Sequence, residues 1–174
     1  MTRERGFALL DLIFVCGIIG VLSSIALPRL TLAKAAAGSA SAIGSMRAIN
    51  SAQLTFALTC GNGFYAPDLP TLGIAPLGSR EPFVSPDLSG AAVVAKSGYV
   101  LRMSAAAFAG APASCNGLAA GAAGRGYKAS ADTNEPQNPR YFAINANGQI
   151  YEHSSSLEAA MPEFGEPAIG HPLY

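Results

Sequence analysis

The chain of 174 residues has no tryptophan, only two histidines, and charged residues at just 13% of its length. Acidic and basic residues are equal in number, so the formal net charge at pH 7 is zero. Proteins that bind nucleic acid usually carry a basic patch or stripe, and the sequence has none, so nucleic acid is not expected as the main partner. Hydrophobic residues reach 50%. This balance indicates a surface with few charges and many small or apolar side chains.

Recognisable catalytic motifs are also missing. The sequence contains no G-x-S-x-G, no G-x-x-x-x-G-K-[ST] and no paired-cysteine zinc motif, and its histidines lie far apart. The glycine-rich stretch 121–126 does not match G-x-G-x-x-G, so we expect a loop there. Asp132, Asn134 and Glu135 carry groups that calcium prefers, but their spacing does not match a calcium-binding loop, and a solvated turn is favoured. The sequence predicts no catalytic residue, metal or cofactor.

What the sequence does have is an apolar run from Phe7 to Leu27, preceded by a short charged head that ends in Gly6. As a helix, such a run is long enough to cross a hydrocarbon core of about 30 Å. One charge, Asp11, interrupts it. A carboxylate inside a membrane costs roughly 2.5–3.5 kcal/mol at the centre and less near the interface. No basic residue lies within the run to pair with Asp11, so the partner is expected to come from elsewhere.

The order of Gly6, Phe7, Asp11 and Pro28 is itself informative. Residues 5–28 resemble the N-terminus of type IV pilins and type II secretion pseudopilins. The resemblance implies that a prepilin peptidase cuts between Gly6 and Phe7 and methylates the new amine. It implies that Asp11, where the family usually has glutamate, pairs with the amine of Phe7 on a neighbouring subunit. Pro28 stands where the family commonly has a helix-kinking proline, whereas the threonine that often follows the phenylalanine is absent.

Other interpretations of the apolar run are weaker. A secretory signal peptide could be cleaved after residues 24–26, but Asp11 inside its apolar core argues against this. A lipoprotein signal needs a small residue before Cys16, and Val15 stands there. A plain membrane anchor leaves the glycine–phenylalanine pair and the acidic residue unexplained. Basic residues flank the run on both sides, so their count does not decide its orientation.

The resemblance implies a structural subunit of a type IV pilus or pilus-like filament, and not an enzyme. The precursor would cross the bacterial inner membrane once with its N-terminus in the cytoplasm, and the mature protein would enter a periplasmic or extracellular filament. Its expected partners are copies of itself, the prepilin peptidase, and the inner-membrane pilus or secretion assembly machinery. Alternatives are a type II secretion pseudopilin, a minor pilin for DNA uptake or, less favoured, an exported binding protein or enzyme tethered to the membrane.

The three cysteines fall into two groups. Cys16 lies inside the apolar run and is expected to act as a small hydrophobic residue. Cys60 and Cys115 lie in the part that would be exported, where an oxidising compartment favours a disulfide. On the chain-entropy model such a bridge contributes roughly 4 kcal/mol. The alternative is two unrelated buried thiols.

Helical character continues beyond the apolar run. Residues 29–59 contain no further proline and are rich in alanine, although Gly38 and Gly44 weaken the pattern locally. Their apolar residues recur at helical spacing. These are Ile43, Met46, Ile49, Ala52 and Phe56. We therefore expect one helix over residues 7–59, about 80 Å long at 1.5 Å per residue, ending at the glycines that follow Cys60.

The remaining sequence predicts a small sheet. Residues 61–97 should form a packed loop with one short turn at 85–88. Strands are expected at 98–103, 126–131, 140–144 and 149–153, with Asn147-Gly148 as the turn of the last hairpin. The tail from Met161 contains three prolines and should be irregular.

The fold class is therefore α+β, a long N-terminal helix packed on a small antiparallel sheet, as in pilins. We divide the chain into four parts. They are a leader at 1–6, a transmembrane or filament-core helix at 7–28, an amphipathic helix at 29–60 that continues into the head, and a globular head at 61–174.

Overall fold

A computed structural model describes residues 5–135 and 138–173, with side chains from residue 9 onward. Most of the expected leader, residues 1–4, lies outside the described residues. The chain divides into two compact units, Met1–Ala37 and Gly38–Tyr174. One helix contributes to both, because α1 runs from Arg5 to Thr59.

The fold is α+β, as the sequence predicts. The helices are α1 (Arg5–Thr59), α2 (Leu69–Leu72) and α3 (Pro86–Ser89). The strands are β1 (Val93–Lys96), β2 (Tyr99–Ser104), β3 (Lys128–Thr133), β4 (Tyr141–Asn145), β5 (Ile150–His153) and β6 (His171–Pro172). The six strands form one sheet in chain order, and every neighbouring pair is antiparallel. The second part of α1 packs on this sheet.

The end of α1 is set by Gly61. Its backbone N–H donates to the carbonyl of Phe56 at 2.7 Å, which satisfies one of the last carbonyls of the helix. A Cβ added at this position would collide with the carbonyl oxygen of Phe64 and the ring of Phe56. The backbone approaches so closely that only glycine fits, and the expected helix end is confirmed.

The main core lies between α1 and one face of the sheet. The predicted stripe is buried, with Met46, Ile49 and Phe56 fully enclosed and Ile43 packed at its edge. The facing sheet residues come from alternate positions on three strands. They are Leu101, Met103, Ala129, Ala131, Phe142 and Ile144. Each large apolar side chain buried in this way contributes roughly 1.5–3 kcal/mol.

The structure adds three short elements that the sequence did not predict. β1 pairs with β2 through a two-residue turn at Ser97 and Gly98, whose φ angles are 50° and 81°. α2 is a single turn whose cap, Asp68, accepts a hydrogen bond from the N–H of Thr71 at 2.9 Å. β6 is only two residues long and pairs with β5. The expected turn at 85–88 corresponds to α3, and the four predicted strands are confirmed as β2–β5 within a few residues.

A second, smaller core lies on the other face of the sheet. It contains Ala143 and Tyr151 from the strands and Leu157 and Met161 from the segment after β5. The tail that was expected to be irregular therefore packs against part of the outer face, although it forms little regular structure.

The most enclosed polar side chain at the helix–sheet interface is Gln53. It has no exposed surface. Its Nε2 donates to the carbonyl of Ala66 at 2.9 Å and lies 3.1 Å from the sulfur of Met103, while its Oε1 accepts from the N–H of Ala66 at 2.9 Å. One amide thus satisfies both backbone groups of a buried residue.

We predict that Gln53→Ala lowers the free energy of unfolding by about 2–4 kcal/mol, because it leaves two buried backbone groups unpaired and opens a cavity. The measurement is urea denaturation of the full chain in detergent micelles, followed by the near-ultraviolet circular dichroism of the tyrosines.

The matched control is Thr55→Ala on the exposed side of the same helix. Its hydroxyl bonds only to the carbonyl of Ser51, so a change within about 0.5 kcal/mol is expected. Equal effects of the two substitutions would contradict the role given to Gln53.

Candidate functional site

From Leu9 onward, the unit Met1–Ala37 presents an apolar helix surface that the described residues leave exposed. Its large hydrophobic residues are mostly 45–73% exposed from Leu9 through Leu32. By length and composition, this helix is long enough and apolar enough to cross a membrane. A soluble surface rarely carries so much contiguous apolar area, so lipid or other protein must cover it.

Asp11 is exposed on this apolar surface. It follows Phe7 by four residues in α1, which places the two positions about one helical turn apart. Gly6 lies in the same helix, and its role and that of Phe7 in processing stay predictions. Within its own unit the structure describes no ion pair for Asp11. The expected pairing with a neighbouring subunit therefore remains a prediction.

Pro28 lies inside α1, and the helix continues past it. A proline there removes one backbone hydrogen bond. Two hydroxyls bond to nearby carbonyls, that of Thr31 to Pro28 at 2.8 Å and that of Ser24 to Val21 at 2.7 Å. The helix kink at Pro28 stays a prediction. A Cβ added at Gly17 would meet nothing within 4 Å among the described residues, so packing within this chain does not explain that glycine.

The disulfide between Cys60 and Cys115 is confirmed. The Cα atoms of the pair are 4.9 Å apart, and the N–H of Cys115 donates to the carbonyl of Cys60 at 3.2 Å. The bridge joins the residue after α1 to the long connection between β2 and β3. Cys16 is a free, exposed thiol in the apolar unit.

Among the described residues of the head, Lys96 pairs with Asp87 at 2.5 Å, and two further groups of charged side chains lie on the sheet. Arg140 binds Glu152 through two hydrogen bonds, of 2.5 and 2.9 Å, and these hold the pKa of Glu152 below its usual value. Asp132 accepts hydrogen bonds from Arg102 at 3.3 Å and from Ser156 at 2.9 Å. Burial nevertheless raises the pKa of the Asp132 carboxyl.

Asp132 is hydrogen-bonded to protein side chains, and among the described residues it does not belong to a cluster of possible metal ligands. Across residues 5–135 and 138–173, no group of three or more His, Cys, Asp or Glu is placed to hold a metal ion. His153, at the end of β5, shares a 2.8 Å hydrogen bond with Ser155.

Comparison with protein-family models, with curated proteins and with solved structures found no match. The residues and their geometry are therefore the basis for any functional conclusion.

The sequence reasoning missed the polar residues on the outer face of the sheet. Arg102, Ser130 and Asp132 lie on β2 and β3 and alternate with residues of the main core. That alternation was visible in the sequence and indicates which face each side chain occupies. The sequence carried no signal for the segment that covers part of this face.

We predict that a thiol reagent applied to denatured, unreduced protein modifies Cys16 alone, because the other two sulfurs are bonded to each other. Peptide mass spectrometry locates the label. Reduced protein is the control and should be labelled at all three cysteines, whereas labelling at three sites without reduction would contradict the disulfide.

Proposed function

We propose that this protein is a structural subunit of a type IV pilus or a related filament, made as an inner-membrane precursor and processed between Gly6 and Phe7. The observation that carries the proposal is an acidic residue, Asp11, on an apolar helix surface that is exposed from Leu9 onward. Asp11 stands five positions after Gly6, the predicted processing glycine. The helix is compatible with both the membrane-bound precursor and the assembled filament. Its apolar surface can be covered by lipid in the first and by the apolar helices of neighbouring subunits in the second.

The charge on Asp11 favours assembly over simple anchoring. In lipid, an unpaired carboxylate is disfavoured, and a membrane anchor gains nothing from carrying one. Cleavage after Gly6 would create a new amine at Phe7. The amine of one subunit can pair with Asp11 of the next. The carboxylate that is costly in the membrane then forms an ion pair that stabilises the contact between the two subunits.

The head is consistent with an exported subunit. A disulfide between Cys60 and Cys115 is typical of proteins that mature in an oxidising compartment. These properties are shared by a pilin, a type II secretion pseudopilin and a minor pilin. The proposal therefore names the class of filament subunit and does not specify which of these assembly systems the protein serves. A tethered exported enzyme is the remaining alternative, and it is distinguished by the mature N-terminus.

We predict that mass spectrometry finds a mature chain that begins with methylated Phe7. Gly6→Val should leave an unprocessed precursor in the inner membrane, because a branched side chain obstructs close approach of the peptidase to the backbone. The readout is the mass of the N-terminal peptide and the size of the protein in membrane fractions.

Gly17→Val is a matched control, since it makes the same substitution in the same helix where space is open. It should be processed normally. An intact Met1 in the wild type, a terminus at Leu27, or normal processing of Gly6→Val would each exclude the proposed cleavage.

We predict that Asp11→Ala is inserted and cleaved but enters filaments poorly. Removing one member of a buried ion pair leaves the other uncompensated, at a cost of roughly 3–5 kcal/mol. The efficiency of membrane insertion should not decrease, because the substitution makes the helix more apolar. The measurement is the fraction of mature subunits recovered in sheared filaments.

Asp11→Glu is the conservative control. It keeps the charge, adds one methylene of reach and should assemble like the wild type. Wild-type incorporation of Asp11→Ala would rule out the pairing mechanism, even if Gly6 were still the processing site.

A further inference from the structure

On the outer face of the sheet, one side chain from each of five neighbouring strands forms a row across the sheet. One end of this row is covered by other residues, and the other end is open. Aligned positions on β1–β5 are Val93, Arg102, Ser130, Ala143 and Tyr151. The second small core covers the last two. The first two line an open groove of about 620 Å³, which continues along Ser104 and Lys128 to Glu158 and Ala159. Ligand sites commonly have volumes of about 300–1,000 Å³.

Ser130 lies at the boundary between the covered and the open half. It is 3% exposed and lines the groove. Among the described residues, its Oγ is the one buried side-chain polar atom without a hydrogen-bond partner. A buried hydroxyl left unpaired costs about 1–3 kcal/mol, so its presence calls for an explanation. A bound molecule with its own hydroxyl groups would satisfy it.

The charges around the groove balance. Nη1 of Arg102 lies 3.3 Å from a carboxylate oxygen of Asp132 and 3.3 Å from one of Glu158. Lys128 donates to the backbone carbonyl of Glu158 at 3.0 Å. Two cations and two carboxylates therefore give no net charge, and neither an anion nor a cation gains a strong electrostatic advantage.

We propose that this groove binds a neutral carbohydrate of one or two sugar units. Lys128 and Arg102 supply donors for sugar oxygens, Glu158 supplies an acceptor for sugar hydroxyls, and Ser130 pairs with a hydroxyl that reaches the buried end. Val93 and Ala159 offer apolar surface to the C–H groups of the sugar ring. This mixture of apolar wall and few polar groups is typical of small-molecule sites.

The proposal is independent of the filament role, because every residue it uses lies in the head, either on the sheet face opposite α1 or in the segment after β5 that borders this face. The inner face is occupied by Leu101, Ala129 and Ala131 packed into the main core. The outer-face side chains alternate with these along the strands. A failure of sugar binding would leave the processing and assembly proposals untouched.

The test uses the full chain in lipid nanodiscs, since sugar-headed detergents would compete. Saturation-transfer difference NMR measures binding of maltose, cellobiose and chitobiose, with glucuronate and inorganic phosphate as charged probes. We expect at least one disaccharide to bind with a Kd in the millimolar range, about −4 kcal/mol, and more tightly than either charged probe.

Ser130→Ala should weaken this binding about fivefold, because it removes one hydrogen bond worth roughly 1 kcal/mol. The variant should be at least as stable as the wild type, since it eliminates a buried unpaired hydroxyl. Loss of binding then reports the site and not the fold.

Ser45→Ala is the matched control. Ser45 is also a buried serine, but its hydroxyl already donates to the carbonyl of Ser41 within α1, so sugar binding should be unchanged. No signal from any disaccharide at about 20 mM would overturn the proposal. So would equal binding by Ser130→Ala, or a preference for phosphate or glucuronate.

Discussion

The head depends on a set of buried hydrogen bonds that fix α1 in one position on the sheet. The apolar contacts of Met46, Ile49 and Phe56 with the sheet contribute stability, but hydrophobic burial is non-directional and specifies a register less sharply than hydrogen bonds do. Gln53 bonds to both backbone groups of Ala66, and the hydroxyl of Tyr127 donates to Asn50 at 2.6 Å. Near the other end, Ser39 and Tyr99 share a 2.9 Å hydrogen bond. Each pair is satisfied in one register only, so a shift of one turn would leave several buried polar groups unpaired.

The two parts of α1 differ in how much of their apolar surface is exposed, and the buried hydrogen bonds hold one of them, the second, on the sheet. From Ala42 onward, one stripe of its apolar residues is enclosed by the sheet, while Leu54 and Leu58 on the other side are exposed. From Leu9 to Leu32 the large apolar residues are exposed. Gly38 begins the packed unit, where a Cβ would lie 2.7 Å from the carbonyl oxygen of Ser97. The exposed apolar surface of the first part is therefore available for lipid or other protein to cover.

The sequence predicted the elements with strong local signals and missed those that depend on tertiary contacts. The α1 stripe and the Asn147-Gly148 hairpin follow from periodicity and turn chemistry. β1 and β6 are short edge strands that gain their structure from a neighbour, and a pattern of two or four residues is too brief to detect. The predicted processing motif could be recognised in the sequence because its residues are contiguous. The groove could not, because Ser130 gains its significance from neighbours on β2 and β4 and from the segment after β5, which is distant from it in sequence.

The two faces of the sheet are under different constraints. The inner face must match α1, so its residues are apolar and its register is fixed by the buried bonds. On the outer face, the apolar cover that the described residues provide comes from Leu157 and Met161. Beyond that cover, a chain with few charged residues concentrates two cations and two carboxylates around one open groove. Folding gains little from this arrangement, since partly exposed ion pairs contribute only about 0–1 kcal/mol and the Ser130 hydroxyl is a net cost. The small neutral molecule proposed above would give this polar cluster a role beyond its contribution to folding.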